Sequence, residues 1–510
     1  MPVNTDGSKA VQPVAGDVAN PLTGSKILFR RSESRRGKVP VAIKLFQGVG
    51  ALPGQHKEWA FNTLLLLYYS QILDVPATYA SIVLAISLIL DAISDPLVGA
   101  YSDNFRSRFG RRHPFMLAAT IPTSLFMFAL FSPPGGLSTA GLTGWMLVFT
   151  VLMRLSFTFF AVPWNAVAAE LSEDYRERTT IITYRMVVGW LGGVLFMFAM
   201  YTWIFPSTAN QSNGLLDETR YPVFAVVLAS LLFGWMALTT LMTRDQVRFL
   251  PQPTDASPPQ SVADMFLRTW LALKSRNFRL LFLAVLISAA VGGTGQVFDI
   301  FMNLYYWEFR TEDIRWFTFA ILGAVASFLT AGLIQSRYEK QNIMITCLIV
   351  VTLLAMIKVL FRFWHIWPEN GDPLLLWLFV GHASLAAYFG SIVLIMFASM
   401  VADIVDEQEL ETGLRQEGVF SAGITFAGKA TTSLGLIIGG MLLDLFIRFP
   451  RGVEPGAVHP DILFLLAFSD GIAVPLLNLI PFMLLLGYSL TSTRLDDIQT
   501  ELRRRAAGRS

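Results

Sequence analysis

The chain has 510 residues, of which 54% are hydrophobic and only 15% charged, and its mean hydropathy is +0.53. A soluble domain carries about 25% charged residues, so this composition excludes a soluble multidomain enzyme and a disordered chain. An intrachain disulfide is excluded because Cys347 is the only cysteine. A net charge of +2 provides no overall basic field for nucleic acid. The composition indicates a multi-pass protein of the lipid bilayer.

In chain order, the sequence contains twelve mostly apolar segments of about 20 residues or more, the length that crosses a bilayer. They lie at 50–73, 77–102, 115–132, 142–166, 184–205, 221–242, 278–305, 314–335, 342–364, 374–402, 419–447 and 461–491. Polar residues interrupt the first segment, and the eleventh is rich in glycine. The predicted fold class is an all-α polytopic membrane protein with twelve transmembrane helices in two six-helix halves.

The distribution of positive charge predicts the orientation of the chain. Connections on the side of the two termini carry 29 Lys and Arg residues, and connections on the opposite side carry six. Because basic loops stay in the cytoplasm, both termini are predicted to be cytoplasmic. Residues 1–40 lack the apolar stretch and cleavage site of a signal peptide. These features fit a cell membrane protein, and a bacterial inner membrane in particular.

The predicted domain organisation follows the two halves. It consists of a disordered N-terminal tail at 1–43, a first half at 44–242, a central cytoplasmic loop at 243–277, a second half at 278–491 and a cytoplasmic C-terminal tail at 492–510. The proline-rich stretch 251–260 within the loop is typical of a flexible linker. Transporters built from two such halves bind their substrate between the halves, near the bilayer midplane.

Two carboxylates lie inside the second segment, where a charge at the helix centre costs roughly 2.5–3.5 kcal/mol. Asp91 and Asp95 are four residues apart and therefore share one helix face. Two adjacent carboxylates in a low dielectric repel each other, so one is expected to stay protonated unless a cation joins them. The pair predicts a site for Na⁺ or H⁺. The alternative is a structural ion pair with a basic residue of a neighbouring helix.

Two other segments offer groups to the same site. In the fourth segment, Thr158 could supply a neutral oxygen to the cation, although a threonine in a helix often bonds its own backbone. In the eleventh, Lys429 lies too far from either end for its side chain to reach the membrane surface. It therefore needs a carboxylate partner, for which Asp91 and Asp95 are the best candidates.

Polar stripes on other segments are predicted to face a shared cavity, where amide, carboxylate and aromatic groups suit a polyhydroxylated ligand. The alternative is polar contact between helices. The residues are Gln55, Glu58, Trp59 and Asn62 in the first segment, Asn165 in the fourth, and Gln296, Asp299 and Asn303 in the seventh.

The loop after the second segment is predicted to be a gate, because its charges can pair with helix ends. Its candidate residues are Asp103, Arg108, Arg111 and Arg112. The alternative is a basic cluster that serves only to orient the chain in the membrane.

One motif carries a resemblance to a known family. It reads Asp91-x-x-x-Asp95-Pro96-x-x-Gly99-x-x-x-Asp103-x-x-x-Ser107-Arg108-x-Gly110-Arg111-Arg112-x-Pro114. It resembles the glycoside–pentoside–hexuronide:cation symporters, the melibiose-permease-like branch of the major facilitator superfamily. Further matches are Lys44-Leu45, Val162-Pro163-Trp164, Glu173-Asp174-Tyr175-Arg176-Glu177-Arg178, Arg185, Ala402-Asp403-Ile404-Val405-Asp406, Gly413, Arg415, Glu417-Gly418 and Lys429.

The resemblance implies a cation-coupled sugar symporter that works by alternating access, with a cation site formed by a set of polar side chains. These are Asp91, Ser94, Asp95 and Thr158, with Lys429 nearby. On the substrate side it implies roles for Trp164 and Arg185, but Gln55 and Ala161 stand where the family has its two sugar-binding aspartates. Galactosides are therefore expected to bind poorly.

The resemblance leaves the solute and the coupling ion open. A carrier of an amphipathic or lysolipid-like solute is the alternative on the same fold, and a non-transporting sensor is a weaker one. A membrane enzyme is disfavoured because no Ser/His/Asp set, metal-spaced histidine cluster or phosphate loop is recognisable. The predicted partners are a small-molecule substrate and the lipid bilayer. No nucleic acid is expected to bind, and the protein is predicted to be a monomer. No cofactor is expected beyond the coupling ion, Na⁺ or H⁺, and no metal site other than Na⁺ at Asp91 and Asp95.

Overall fold

A computed structural model describes residues 37–105, 107, 109–208, 211, 213–250, 273–412 and 417–507. Throughout these ranges the regular structure is helical. The helices are α1 Val41–Val49, α2 Leu52–Trp59, α3 Ala77–Asn104, α4 His113–Leu130, α5 Thr139–Glu170, α6 Tyr175–Ala199, α7 Arg220–Thr243, α8 Arg276–Phe301, α9 Thr311–Ile314, α10 Ile321–Gln335, α11 Lys340–Phe363, α12 Pro373–Thr412, α13 Glu417–Met441, α14 Pro460–Phe468, α15 Val474–Leu476, α16 Leu479–Leu486 and α17 Ser492–Ala507.

The described residues contain eleven helices that are long and apolar enough to cross a membrane, and they match predicted segments two to twelve. The first predicted segment, 50–73, forms α2 and the wide π-helical turns Ala60–Leu65 and Tyr68–Ile72. Helix α1 precedes it, so the first pass is a broken helix that begins before the predicted bound. The break follows Gly50, where an added Cβ would lie 2.1 Å from the Trp164 indole nitrogen. The chain is therefore a multi-pass membrane protein, and its fold agrees with the predicted twelve helices.

The two halves meet most extensively where α13 of the second half packs along α3 of the first. Within each half, α4 packs on α5 and α7, and α8 packs on α13. A large buried core that includes many aromatic side chains lies away from the chain termini and draws residues from both halves, among them Phe224, Tyr305 and Trp307. This packing places the middle of α3 against the middle of α13.

Hydrogen bonds between the halves are concentrated at the end of the bundle opposite the termini, which we call the far end. Ser207 donates from its backbone nitrogen and its hydroxyl to the two carboxylate oxygens of Glu312, each at 2.7 Å. The Thr311 hydroxyl donates to the Asn213 side-chain oxygen at 2.8 Å. The Tyr305 hydroxyl donates to the Gln71 side-chain oxygen at 3.2 Å. We call these three residue pairs the clasp, and their hydrogen bonds hold the far end closed.

The predicted tails and loop are only partly described. Most of the 1–43 tail and residues 251–272 of the central loop lie outside the described residues. The predicted tail at 492–510 begins with helix α17, which is anchored to the second half. Gln499 donates to Asp406 at 3.2 Å, and the Ser492 hydroxyl donates to Glu339 at 2.5 Å.

Candidate cation and substrate sites

Asp91 and Asp95 lie one turn apart near the middle of α3, which continues helically through Pro96. The Asp91 side chain is 12% exposed and that of Asp95 is 37% exposed. The Ser94 hydroxyl donates to the backbone oxygen of Asp91 at 3.1 Å, so its hydrogen is used within its own helix. The two carboxylates therefore present neighbouring oxygens on one side of α3.

Groups from both halves contact this carboxylate pair. From α5, the Thr158 hydroxyl lies 3.2 Å from Asp91 Oδ1 and 3.3 Å from Asp95 Oδ1. From α13 in the second half, Lys429 Nζ lies 2.9 Å from Asp91 Oδ2 and 2.7 Å from Asp95 Oδ2. The structure brings these four predicted residues together, and the lysine forms an ionic bridge between the halves.

Two basic residues that sequence reasoning did not assign to the site complete the cluster. Arg154 Nη1 lies 3.5 Å from Asp91 Oδ2, and Lys57 Nζ lies 2.6 Å from Glu58 Oε1. Lys57 also interacts electrostatically with Asp91. Arg154 had a visible signal, because it precedes Thr158 by one helical turn.

We call these six charged residues the midplane cluster: Lys57, Glu58, Asp91, Asp95, Arg154 and Lys429. Three carboxylates balance three basic groups, which reduces the free energy needed to bury them. The Asp91 and Asp95 carboxylates and the Thr158 hydroxyl provide oxygen atoms, which are the ligands that hard cations prefer. Lys429 Nζ occupies the place between the carboxylates that such a cation would enter. No group of three or more His, Cys, Asp or Glu residues suited to a multivalent metal occurs in the described part of the chain.

The predicted polar stripe on the first pass divides into two parts. Gln55, Glu58 and Asn62 are exposed on one side of the helix. Trp59 is buried, and its ring packs edge-on against Phe196 and Tyr201, with centroids 5.4 Å apart in each case. The structure therefore groups the three polar residues and places the tryptophan in the core.

Arg185, Trp164 and Asn165 come together between α5 and α6. The Arg185 guanidinium lies 3.8 Å from the centre of the Trp164 ring, and it donates to the Asn165 side-chain oxygen. The Trp164 indole donates to the backbone oxygen of Gln47 at 3.0 Å, and the Gln47 amide donates to the Trp164 oxygen at 2.9 Å. These reciprocal bonds fix the indole that supports the guanidinium.

The predicted polar residues of the second half lie on α8 and the turn that follows it. Gln296 and Asn303 are partly exposed, and Asp299 is exposed. Lys358 interacts electrostatically with Asp299 and lies 3.4 Å from Asp470 Oδ2. This group is separate from the midplane cluster.

The predicted gate residues lie within the first half, at the end of the bundle that carries the termini. The guanidinium groups of Arg111 and Arg112 lie 2.6 and 2.8 Å from Glu170 Oε1. Arg112 also pairs with Asp103. Arg108 lies outside the described residues. The described groups tie the loop after α3 to the end of α5.

Comparisons with known proteins agree with this architecture. An uncharacterized symporter of Synechocystis sp. is 26% identical over 86% of this chain and 92% of its own length. The isoprimeverose transporter of Lactiplantibacillus pentosus is 23% identical over 75% of this chain and 76% of its own. The sodium-dependent lysophosphatidylcholine symporter 1 of Xenopus tropicalis is 34% identical over 32% of this chain and 31% of its own.

Solved structures show the same fold at low identity. The nucleoside transporter NupG superposes with a TM-score of 0.57 at 13% identity, covering 88% of this chain and 99% of its own. A family model described as MFS/sugar transport protein matches residues 46–492. The resemblance found in the aspartate motif is thereby confirmed, and the chain belongs to this family of major facilitator transporters, whose relatives include named symporters.

Proposed function

We propose that this protein is a secondary active transporter that couples the entry of a small solute to Na⁺ or H⁺. The observation that carries the proposal is the ionic bridge from Lys429 to Asp91 and Asp95. It joins the two halves through the groups that would bind the cation. A bound cation and Lys429 would compete for the same carboxylate oxygen atoms of Asp91 and Asp95.

The competition supplies a physical link between ion binding and the movement of the halves. When the cation binds Asp91, Asp95 and Thr158, Lys429 loses its counter-ions, and the ionic bridge between α3 and α13 weakens. When the cation leaves, the lysine restores the neutral cluster. The two arrangements give the carrier two states whose balance the ion changes, as alternating access requires.

The clasp supports a state that is accessible from the end with the termini. The far end is closed by inter-half hydrogen bonds, while the Asp95 side chain keeps 37% of its surface exposed. With both termini cytoplasmic, this is an inward-facing state of a carrier in the cell membrane, and a bacterial inner membrane fits the charge pattern.

A sugar or glycoside is the leading solute. The exposed amide and carboxylate groups of Gln55, Glu58 and Asn62 suit hydroxyl groups, and a relative is named for isoprimeverose transport. A lysolipid-like solute is the second candidate, because a segment of the chain is 34% identical to a lysophosphatidylcholine symporter. Ala161 in place of an acidic residue also makes the cavity less polar.

Asp95→Asn tests the proposal in vesicles reconstituted with the purified protein. We expect wild-type protein to accumulate a solute from a panel of glycosides and lysolipids when a Na⁺ or pH gradient is imposed. The nearly isosteric variant should not accumulate it, because a ligand charge for the cation is lost. Asp461→Asn, at a side chain that is 89% exposed, is the matched control. Wild-type accumulation by Asp95→Asn would contradict the proposed coupling.

A further inference from the structure

Helix α3, which carries the carboxylate pair, takes its N-terminal cap from the opposite half. Its N-cap residue is Pro76, whose side chain cannot accept a hydrogen bond. The backbone nitrogen of Thr78, in the first turn, donates instead to Asp444 Oδ2 at 2.7 Å. Asp444 lies in the π-helical turn Leu442–Phe446, which continues α13 in the second half. The start of α3 is therefore capped across the interface between the halves.

This contact satisfies groups that a helix leaves unpaired. The first N–H groups of an α-helix have no partner within the helix. A carboxylate there accepts a charge-assisted hydrogen bond and also interacts favourably with the helix dipole. The Thr78 hydroxyl donates to the backbone oxygen of Gly440 at 3.2 Å. Both polar groups of Thr78 thus depend on the far end of α13 and the turn that follows it.

The cap and the ionic bridge join the same two helices at separate points. Thr78 lies about 20 Å from Asp91 along α3, at about 1.5 Å per residue. Asp444 follows Lys429 by a similar length of chain. The ionic bridge is therefore near the midplane, whereas the cap is at the far end. A cation that displaced Lys429 would break the ionic bridge and leave the cap in place.

We propose that Asp444 is a positioning residue of the transport cycle, which caps α3 only while the far end is closed. When the halves separate at that end, the Thr78 nitrogen and the Asp444 carboxylate lose each other and are hydrated. The cap therefore stabilises the closed far end whether or not a cation occupies the midplane cluster. This inference rests on the proposed alternating access and adds to it a restraint that does not depend on the ion.

The test measures distances across the far end by electron paramagnetic resonance. Nitroxide labels are attached to cysteines introduced at Thr219 and Ala457, exposed positions of the first and second halves, after Cys347 has been replaced by serine. We expect Asp444→Leu, which removes the acceptor, to raise the ratio of open to closed far ends about tenfold or more. The shift should be the same in Na⁺ and in Na⁺-free buffer at one pH.

A cap of the same kind within one half provides the matched control. Asp372 accepts a hydrogen bond from the backbone nitrogen of Leu374 at 2.8 Å, at the start of α12. Asp372→Leu removes this cap without breaking a contact between the halves, so the distances should stay as in wild type. Size-exclusion profiles establish that both leucine variants are folded.

Pro76→Ser distinguishes a positioning role from a merely structural one. A serine hydroxyl at the N-cap can accept from the first turn of α3 in every state of the carrier. For a merely structural cap, this replacement would leave the distances unchanged. For a positioning residue, the open state gains a cap, so Pro76→Ser should itself favour the open far end. Asp444→Leu should then shift the distances less in that background than in the wild-type background.

The outcomes separate this inference from the proposed function. Unchanged distances in Asp444→Leu, an equal shift in Asp372→Leu, or an undiminished effect of Asp444→Leu in the Pro76→Ser background would overturn the positioning role. The expected shifts, in a protein whose uptake ignores Na⁺ and pH gradients, would support the cap and remove the coupling.

Discussion

Lys429 is the residue at which the chemistry of the site and the contact between the halves coincide. Its ammonium group lies 2.7 Å from Asp95 and 2.9 Å from Asp91. Under the proposed function, a coupling cation would have to displace this ammonium group, and the lysine would then set an upper limit on cation affinity. The neighbouring Arg154 lies 3.5 Å from Asp91 Oδ2, so this carboxylate keeps a basic partner when the lysine leaves.

We predict that Lys429→Ala binds the coupling cation more tightly but no longer couples it to transport. Removing an ion-pair competitor worth about 1.4 kcal/mol raises affinity about tenfold. Isothermal titration with Na⁺, or proton uptake measured over a range of pH, gives the affinity for the coupling ion, and vesicle uptake gives the coupling. Lys340→Ala is the control, since Lys340 pairs with Asp403 outside the cluster, at 2.6 Å. Unchanged cation affinity in Lys429→Ala would show that the lysine does not compete.

We predict that Glu170→Gln destabilises the first half. Glu170 is the shared partner of Arg111 and Arg112, and all three side chains are largely buried. Breaking a buried ion pair by removing one partner destabilises by about 3–5 kcal/mol. The midpoint of thermal unfolding in detergent should fall clearly. Glu501→Gln, which loses exposed pairs with Arg504 and Arg505, should change stability by less than about 1 kcal/mol.

At this scale, the sequence predicted the contacts that depend on local spacing and on the free energy of burying charge. Asp91, Asp95, Thr158 and Lys429 could be grouped because each needs a partner inside the bilayer. The roles of Lys57 and Arg154 depend on how α2 and α5 pack against other helices. The spacing of residues within a single helix does not indicate that packing. Trp59 shares the polar stripe of its helix, yet its large ring gains more by packing with Phe196 and Tyr201.

At the scale of elements, the crossing of α3 and α13 depends on small side chains. A Cβ on Gly440 would lie 2.3 Å from Ser81 Oγ and 2.8 Å from the Ala77 oxygen. These atoms belong to opposite halves, so any side chain here pushes the halves apart at the far end. Gly428, on the same helix, has nothing within 4 Å of an added Cβ.

We predict that Gly440→Ala favours opening of the far end and that Gly428→Ala does not. The reporter is the reactivity of Ser70→Cys towards a polar maleimide, after Cys347 has been replaced by serine. Ser70 is 1% exposed at the far end of the first pass, so its cysteine should react faster only when that end opens. Equal reactivity in the two alanine variants would show that the crossing at Gly440 does not restrain the far end.

Eleven membrane passes and their order could be predicted because each contains about 20 mostly apolar residues in succession. The wide π-helical turns could not be predicted from the sequence. Four of them lie near the far end, at Tyr68–Ile72, Met200–Ile204, Met302–Tyr306 and Leu442–Phe446. A π turn adds one residue without changing composition, so hydropathy carries no signal of it. Helix α17 lies in the predicted cytoplasmic tail, and hydropathy does not indicate it because its charged sequence has no apolar run.

At the scale of the whole molecule, the closed far end depends on the clasp. Both oxygens of Glu312 accept charge-assisted hydrogen bonds from Ser207. Hydrogen bonds to a charged group contribute about 1.5–3 kcal/mol. They are lost when the halves separate, so they stabilise one state of the carrier relative to the other.

We predict that Glu312→Gln shifts the carrier towards the state with an open far end by about tenfold or more. Spin labels placed on the two halves at the far end should report longer distances in the variant. Glu218→Gln changes an exposed carboxylate of the same end and should leave the distances unchanged. Identical distance distributions in wild type and Glu312→Gln would rule out the clasp as the restraint.

The balance of three acidic and three basic residues in the midplane cluster has an electrical consequence. Under the proposed function, the cluster is neutral when no cargo is bound, so it adds no voltage dependence to the return step. With a monovalent cation and a neutral sugar, the loaded carrier gains one positive charge, and about 2.3 kcal/mol per 100 mV of membrane potential acts on its reorientation. The membrane potential would then add to the concentration gradients in setting how far the solute accumulates.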